Sequence, residues 1–214
     1  MSFAPYIAIE GPIGVGKTTL ARLLGESLGA ELLLEVFEEN PFLSAFYADR
    51  ARYAFQTQIF FLLSRYRQQQ KVVAEALARG PLVSDYLFAK DRLFARLNLS
   101  GDELAVYEQL YAALSERVRT PDLVVYLRAR TDVLLQRIAY RDRSYERAIS
   151  RDYIEDLRRA YDDFFASYTD APLLVIDTDG IDVVACAADR AEVIGRVRAA
   201  LERGASQPPL PAFY

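Results

Sequence analysis

The sequence is short of several things, and each shortage narrows what the chain can be. Its single cysteine among 214 residues, Cys186, rules out a disulfide within the chain. No apolar run approaches the roughly 18–20 residues a membrane span requires, and no charged stretch followed by an apolar one opens the chain. Both shortages lead us to expect a soluble protein of the cytoplasm. Positive charge is not in excess either: 26 Lys and Arg stand against 30 Asp and Glu, a formal charge of −4. No global field gathers a nucleic-acid backbone, so an anionic ligand must be held by a local cluster of cations. Proline (9) and glycine (10) are not over-represented, and there is no internal repeat or low-complexity tract.

What is present reads as one α/β domain. The length suits a single well-buried core and is too small for two ordinary ones. Tyr6–Glu10 is a short apolar segment bounded by Gly11-Pro12, which predicts a buried parallel strand. A helix from Thr18 to Leu28, a strand Glu31–Glu35 and helical pattern from Pro41 to about Arg79 follow, the last in two pieces with the longer from near Arg52. Leu82–Ser84 is a third strand ending at Asp85. Helices over Leu87–Leu97 and from Ser100 to about Arg119 lead to the strand Leu123–Leu127. A helix from Thr131, a charged stretch Arg137–Arg147, a helix to about Tyr168, a strand Leu173–Ile176 and a last helix to Arg203 complete the order. Five strands alternating with helices predict a parallel sheet covered on both faces. Gly204–Tyr214, with three prolines, reads as a flexible tail.

Gly11-Pro12-Ile13-Gly14-Val15-Gly16-Lys17-Thr18, followed by Thr19, matches G-x-x-x-x-G-K-[ST] between a predicted strand and a predicted helix. Glycines let successive backbone N–H groups turn around a phosphate chain. Lys17 offers charge to the outer phosphates and Thr18 a hydroxyl to Mg²⁺. A glycine-rich turn that merely joins strand to helix needs no such complete match. The loop says nucleoside triphosphate and is silent on the acceptor. A phosphoryl acceptor needs a base near its hydroxyl, and carboxylates at strand ends are the candidates: Glu35 and Asp85 face the crevice at the carboxyl edge of an open parallel sheet.

Beyond these residues, the spacing of Glu35, Tyr47, Gln58 with Arg65 seven positions on, Asp85 with Asp91 six on, and Arg137, Arg141, Arg143 with Glu146 resembles the deoxynucleoside kinase family over most of the chain. The resemblance implies a P-loop kinase fold over residues 1–203 with an Arg-rich lid at about 137–149, ATP as donor and Mg²⁺ as its metal. It implies Glu35 as the general base for a 5′-hydroxyl, Asp85 with Thr18 on the metal, and Tyr47 and Glu146 on the 3′-hydroxyl. Gln58 would meet the base edge, with Arg65 and Asp91 as the charged part of base recognition and either Phe88 or Phe94 stacked on the base. Taken one at a time, Tyr47 also fits an ordinary core aromatic, and the charged stretch a solvated face. In the lid, Arg141 and Arg143 are expected to reach phosphate, since the guanidinium fork binds two oxygens at once, and Arg137 to lie against the donor base. A homodimer joined through helices is typical of the family.

Asp85-Tyr86-Leu87-Phe88-Ala89-Lys90 departs from the family's usual acid followed by Arg, and Glu35-Val36 from its Glu-Pro. Tyr86 is instead similar to the bacterial deoxyguanosine kinase branch, with deoxyadenosine kinase the close rival. Lys90 or a lid arginine would have to supply the missing cation. A nucleoside monophosphate kinase of the thymidylate kinase kind shares the architecture, but Glu35, Glu38 and Glu39 crowd the place where an acceptor phosphate would need cations. A nucleotide-binding subunit without catalysis has only the Val36 and Tyr86 departures in its favour.

Overall fold

The computed structural model describes residues 4–203; the expected tail at 204–214 lies outside the described residues. The apolar runs become strands β1 (Tyr6–Glu10), β2 (Glu31–Leu33), β3 (Leu82–Ser84), β4 (Leu123–Arg128) and β5 (Leu173–Asp177). Neighbours pair in parallel in the order β2-β3-β1-β4-β5. Every residue of β1, β3 and β4 is buried, as central parallel strands require when both faces are covered.

Side-chain alternation divides the core into two layers. Ile7 and Ile9 of β1 join Leu123, Val125 and Leu127 of β4 on one face. They pack there on helices α1 (Lys17–Leu28), α7 (Thr131–Arg141) and α9 (Ala187–Arg203) through residues such as Leu24, Leu134 and Val197. Ala8, Val124 and Tyr126 face the other way, onto α5 (Lys90–Asn98) and α8 (Arg151–Ala166) through Leu93, Leu157, Tyr161 and Phe165. The remaining helices are α2 (Leu43–Ala48), α3 (Arg50–Gln68), α4 (Ala74–Arg79) and α6 (Gly101–Ser115). Among the described residues no helix is long and apolar enough to cross a membrane.

Several boundaries differ from expectation for visible reasons. β2 stops at Leu33, not Glu35, because the Glu35 N–H leaves the ladder and donates to Asp85 Oδ1 at 2.7 Å. The helix expected from Leu87 starts at Lys90, because the chain ahead of it closes in tight turns, Lys90 N–H to Leu87 O and Asp91 N–H to Phe88 O, with the Leu87 N–H held by Glu10 Oε2 at 2.7 Å. The long helix begins at Arg50, capped by the Asp49 side chain, and a π turn at Gln69–Val73 interrupts it before α4. Around that wider turn two consecutive glutamines reach the sheet: Gln68 Nε2 donates to Leu34 O at 3.2 Å and Gln69 Nε2 to Tyr6 Oη at 3.1 Å. The helix expected to reach Arg119 ends at Ser115, in turns closed by Arg117 N–H to Leu114 O and Val118 N–H to Ser115 O.

Candidate active site

The loop from Gly11 to Thr18 leaves β1 at the carboxyl edge of the sheet and enters α1. Two of its glycines are forced. Gly11 has φ 149°, and a Cβ there would collide with the Leu127 carbonyl oxygen. Gly14 has φ 87°, and a Cβ would stand 2.8 Å from Leu134 O. The loop therefore lies directly on β4 and α7. Lys17 Nζ donates to Gly11 O at 2.7 Å and Pro12 O at 3.2 Å. Burial lowers its pKa to about 8; Glu10 opposes the shift and Lys90 adds to it. An ammonium resting on carbonyls and pressed towards neutrality is one that an anion would stabilise.

Asp85 ties the loop to the acceptor side. Its Oδ2 accepts from Thr18 Oγ1 at 2.6 Å and its Oδ1 from the Glu35 N–H. Such a hydroxyl and carboxylate, both hard oxygens, are the residues that would hold a Mg²⁺ ion here. The Glu35 carboxylate meets Arg65 through Oε1, with Nε at 3.1 Å and Nη2 closer, and Lys90 Nζ through Oε2 at 2.6 Å. Burial alone would raise the Glu35 pKa; Arg65 and Lys90 more than reverse that and hold it well below the usual carboxylate range. Arg65 is itself clamped from behind by the fully buried Asp91.

These groups line one cavity. Lys17, Thr18, Glu35 and Asp85 form its inner end, and Tyr47, Gln58, Phe61 and Phe94 its walls. Gln58 is 3% exposed, and its amide forms no side-chain hydrogen bond with the other described residues. Burial raises the Tyr47 phenol well above its ordinary pKa, so it stays a donor. Three expected residues are elsewhere. Phe88 packs in a helical cluster and stacks on Tyr111 at 5.6 Å. Tyr86 is fully buried against Leu33, Val73 and Leu82, its hydroxyl donating to Gln68 Oε1 at 3.2 Å. Asp91 acts on the cavity only through Arg65. Of the two phenylalanines, Phe94 alone lines the cavity, its ring edge-on to Tyr161.

The arginine-rich segment after α7 lines the same cavity. Arg141 leaves the end of α7, and Ser144–Ala148 forms a 3₁₀ turn that brings Glu146 inward to 6% exposure. Glu146 holds Arg141 by Nη2 at 2.5 Å and Nε at 3.2 Å, and Arg143 by Nη1 at 3.6 Å. The two arginines expected on phosphate both pair with the Glu146 carboxylate. Tyr145 lies parallel to Tyr47 at 6.2 Å, and Arg143 covers Phe37 at 4.1 Å. In this arrangement the cavity holds about 120 Å³, less than the roughly 300–1,000 Å³ of ligand pockets.

A second cavity of about 830 Å³ opens on the other side of the loop, lined by Val15, Gly16, Thr19, Arg137, Tyr140 and the segment Thr178–Ala185. Arg137 is less free than expected: it donates to Thr178 Oγ1 at 2.9 Å and Thr178 O at 2.7 Å. It thereby fastens α7 to the turn after β5 while one face remains on the cavity.

Sequence reasoning missed Glu10. Its carboxylate is fully buried, with Oε1 accepting from the Gly11 N–H at 2.9 Å and Tyr161 Oη at 2.8 Å, and Oε2 from the Leu87 N–H. An acid ending a wholly apolar strand just before a phosphate loop was the available signal. Phe37, Phe61 and Tyr145 were also passed over, because aromatics in apolar runs look alike until the fold sorts them.

Comparison with known proteins places the chain in a family. The model of the deoxynucleoside kinase family matches residues 7–202. A deoxyguanosine kinase from Bacillus subtilis is 35% identical over 203 residues, 92% of this chain and 98% of that protein. A deoxyadenosine kinase from Dictyostelium discoideum is 40% identical over 164 residues, 74% of this chain and 66% of its own. The solved deoxyadenosine kinase of M. mycoides, with dATP bound, superposes with a TM-score of 0.78 at 27% identity, covering 91% of this chain and 99% of that one.

Proposed function

The chain belongs to the deoxynucleoside kinase family, and from that premise we propose that it transfers the γ-phosphoryl group of ATP to the 5′-hydroxyl of a purine deoxyribonucleoside, deoxyguanosine before deoxyadenosine. The observation that carries the reading is that Glu35 and Lys17 line one cavity, with Asp85 bonded to both Thr18 and the Glu35 backbone between them. A base and a phosphate cradle so joined can act on one bound acceptor.

In the reaction the 5′-oxygen forms its bond to the γ-phosphorus as the bond to the bridging oxygen breaks, and ADP leaves with that electron pair. The hydroxyl proton goes to Glu35. A carboxylate held anionic by two cations is a weak base, yet it is sufficient, because in a loose transition state the proton leaves late, after the phosphorus has claimed the oxygen. Thr18 and Asp85 would hold Mg²⁺, whose charge offsets that of the phosphates. Lys17 exchanges its carbonyl partners for phosphate oxygens, and Arg141 and Arg143 turn from Glu146 to the same group. Tyr47 and Glu146 are then left for the 3′-hydroxyl. Gln58 presents a donor and an acceptor to the base edge, Phe94 lies against the base, Arg65 sets the charge of that wall with Asp91 behind it, and Arg137 borders the donor base.

The order of purines rests on the likeness to a deoxyguanosine kinase over nearly its whole length. ADP release, coupled to a chromogenic reaction and measured with each of the four common deoxynucleosides, tests the reading. Turnover is expected to be greatest with deoxyguanosine, then deoxyadenosine; no turnover with any of them would overturn it. A cytoplasmic homodimer completes the proposal, and sedimentation at assay concentration checks the dimer.

A further inference from the structure

The peptide unit between Leu34 and Glu35 lies just past the end of β2, and side chains rather than strands hold both of its polar groups. The Glu35 N–H donates to Asp85 Oδ1 at 2.7 Å. The Leu34 carbonyl accepts from Gln68 Nε2 at 3.2 Å, and the oxygen of that same amide, Oε1, accepts from the Tyr86 hydroxyl at 3.2 Å. Two consecutive residues after β3 thus hold one peptide unit from its two sides, Asp85 directly and Tyr86 through Gln68. A carbonyl only accepts, so the amide must turn its NH₂ group to Leu34; the phenol, donating to the amide oxygen, satisfies that orientation at both ends.

The ring of the same tyrosine backs the charges that hold the Glu35 side chain. Tyr86 is fully buried, and its ring centroid lies 6.0 Å from the Arg65 guanidinium carbon and 5.9 Å from Lys90 Nζ, at the reach of a cation to an aromatic ring. Those are the two cations paired with the Glu35 carboxylate. Arg65 is shared with Asp91, so two carboxylates and two cations balance. Packing beside Leu33, Val73 and Leu82 asks only for an apolar side chain here. The hydroxyl and its alignment with Gln68 are additional to packing.

We infer that Tyr86 and Gln68 are positioning residues for the acid that takes the acceptor's proton: together they fix the main chain that carries Glu35 and the cations that aim its carboxylate. Neither lines the cavity, so both act through Glu35 and not on a substrate. The inference rests on the kinase reading of this site.

The phenol and the amide form one chain, so cutting it once or twice should have the same effect. Phosphoryl transfer in a single turnover, steady-state KM for each substrate and Tm would be measured on wild type, Tyr86→Phe, Gln68→Met and the double variant, with the deoxynucleoside that the wild type phosphorylates best. Each single variant is expected to slow transfer about 5- to 20-fold, less than the roughly 10²-fold that a misplacement of 1 Å costs. The double variant should lie within about twofold of the slower single one. KM for ATP and for the deoxynucleoside should stay within about twofold of wild type, a split that a general loosening of the fold would not give. Losses that multiply in the double variant, an unchanged rate in either single one, or a KM that rises as the rate falls would overturn the inference. Should melting show Tyr86→Phe to be unfolded, Gln68→Met, which leaves the ring in place, is read alone against the same limits on rate and KM. A wild type that turns over none of the four common deoxynucleosides would instead refute the kinase reading itself.

Discussion

Thr18 and Asp85, 67 positions apart in sequence, are joined by a hydrogen bond of 2.6 Å from hydroxyl to carboxylate. The loop that matches the phosphate-binding motif and the end of β3 are thus fixed to each other. Asp85→Asn keeps the size and weakens the oxygen donor. We expect the Mg²⁺ concentration for half-maximal rate to rise by roughly tenfold or more, with kcat lower at saturation. A metal titration of initial rates measures both.

Glu35→Gln removes the proton acceptor and retains the shape. A turnover loss of about 10²- to 10⁴-fold is expected, with ATP affinity nearly unchanged because the loop contacts are separate. Calorimetry alongside the coupled assay reads the two quantities, and an unchanged rate would remove Glu35 from the role of base.

Arg65→Met takes the cation from between two carboxylates, leaving the fully buried Asp91 without its partner. A loss of about 3–5 kcal/mol is expected from the uncompensated charge, seen as a Tm lower by roughly 10 °C. Adding Asp91→Leu should recover part of it, a coupling that additive effects would not give.

Phe88 and Phe94 should separate cleanly. Phe94→Ala is expected to raise KM for the deoxynucleoside with little change in Tm, because that ring borders the cavity. Phe88→Ala should lower stability by about 3–5 kcal/mol and spare KM, since its ring packs against Tyr111.

Lys17 predicts a proton linkage. With a pKa near 8 in the free protein, about half of these side chains lack a proton at pH 8, and a bound polyphosphate restores it. Binding of ADP without metal should therefore take up about half a proton per site at pH 8, where the phosphates of ADP are already fully ionised. Calorimetry in two buffers of different ionisation enthalpy gives the number.

Much of this was legible beforehand, and the reasons are physical. The strand positions and the loop follow from apolar runs and a motif whose glycines answer to backbone contacts at Gly11 and Gly14. Glu35, Tyr47, Gln58 and Glu146 were named from spacing, and they line one cavity. The end of β2 was not legible, because a side chain 50 positions away captures the Glu35 N–H. Nor was the π turn, since an extra residue in a helical turn leaves the apolar pattern almost unbroken. Phe88 and Phe94 could not be told apart because the chain between Asp85 and Lys90 is not helical, so helical spacing assigns its side chains no face. Arg141 and Arg143 were expected on phosphate, and their pairing with Glu146 was not legible, because spacing alone does not say which anion a guanidinium meets.

The Glu10 carboxylate has a consequence for how such a site can diverge. One buried group pins the start of the loop, the bend after β3 and the helix behind the lid. The gap between donor and acceptor thus has a common datum deep in the sheet, out of reach of the surfaces that read base and sugar. Those surfaces are free to be rewritten for a new nucleoside while the span the phosphorus must cross stays as it was.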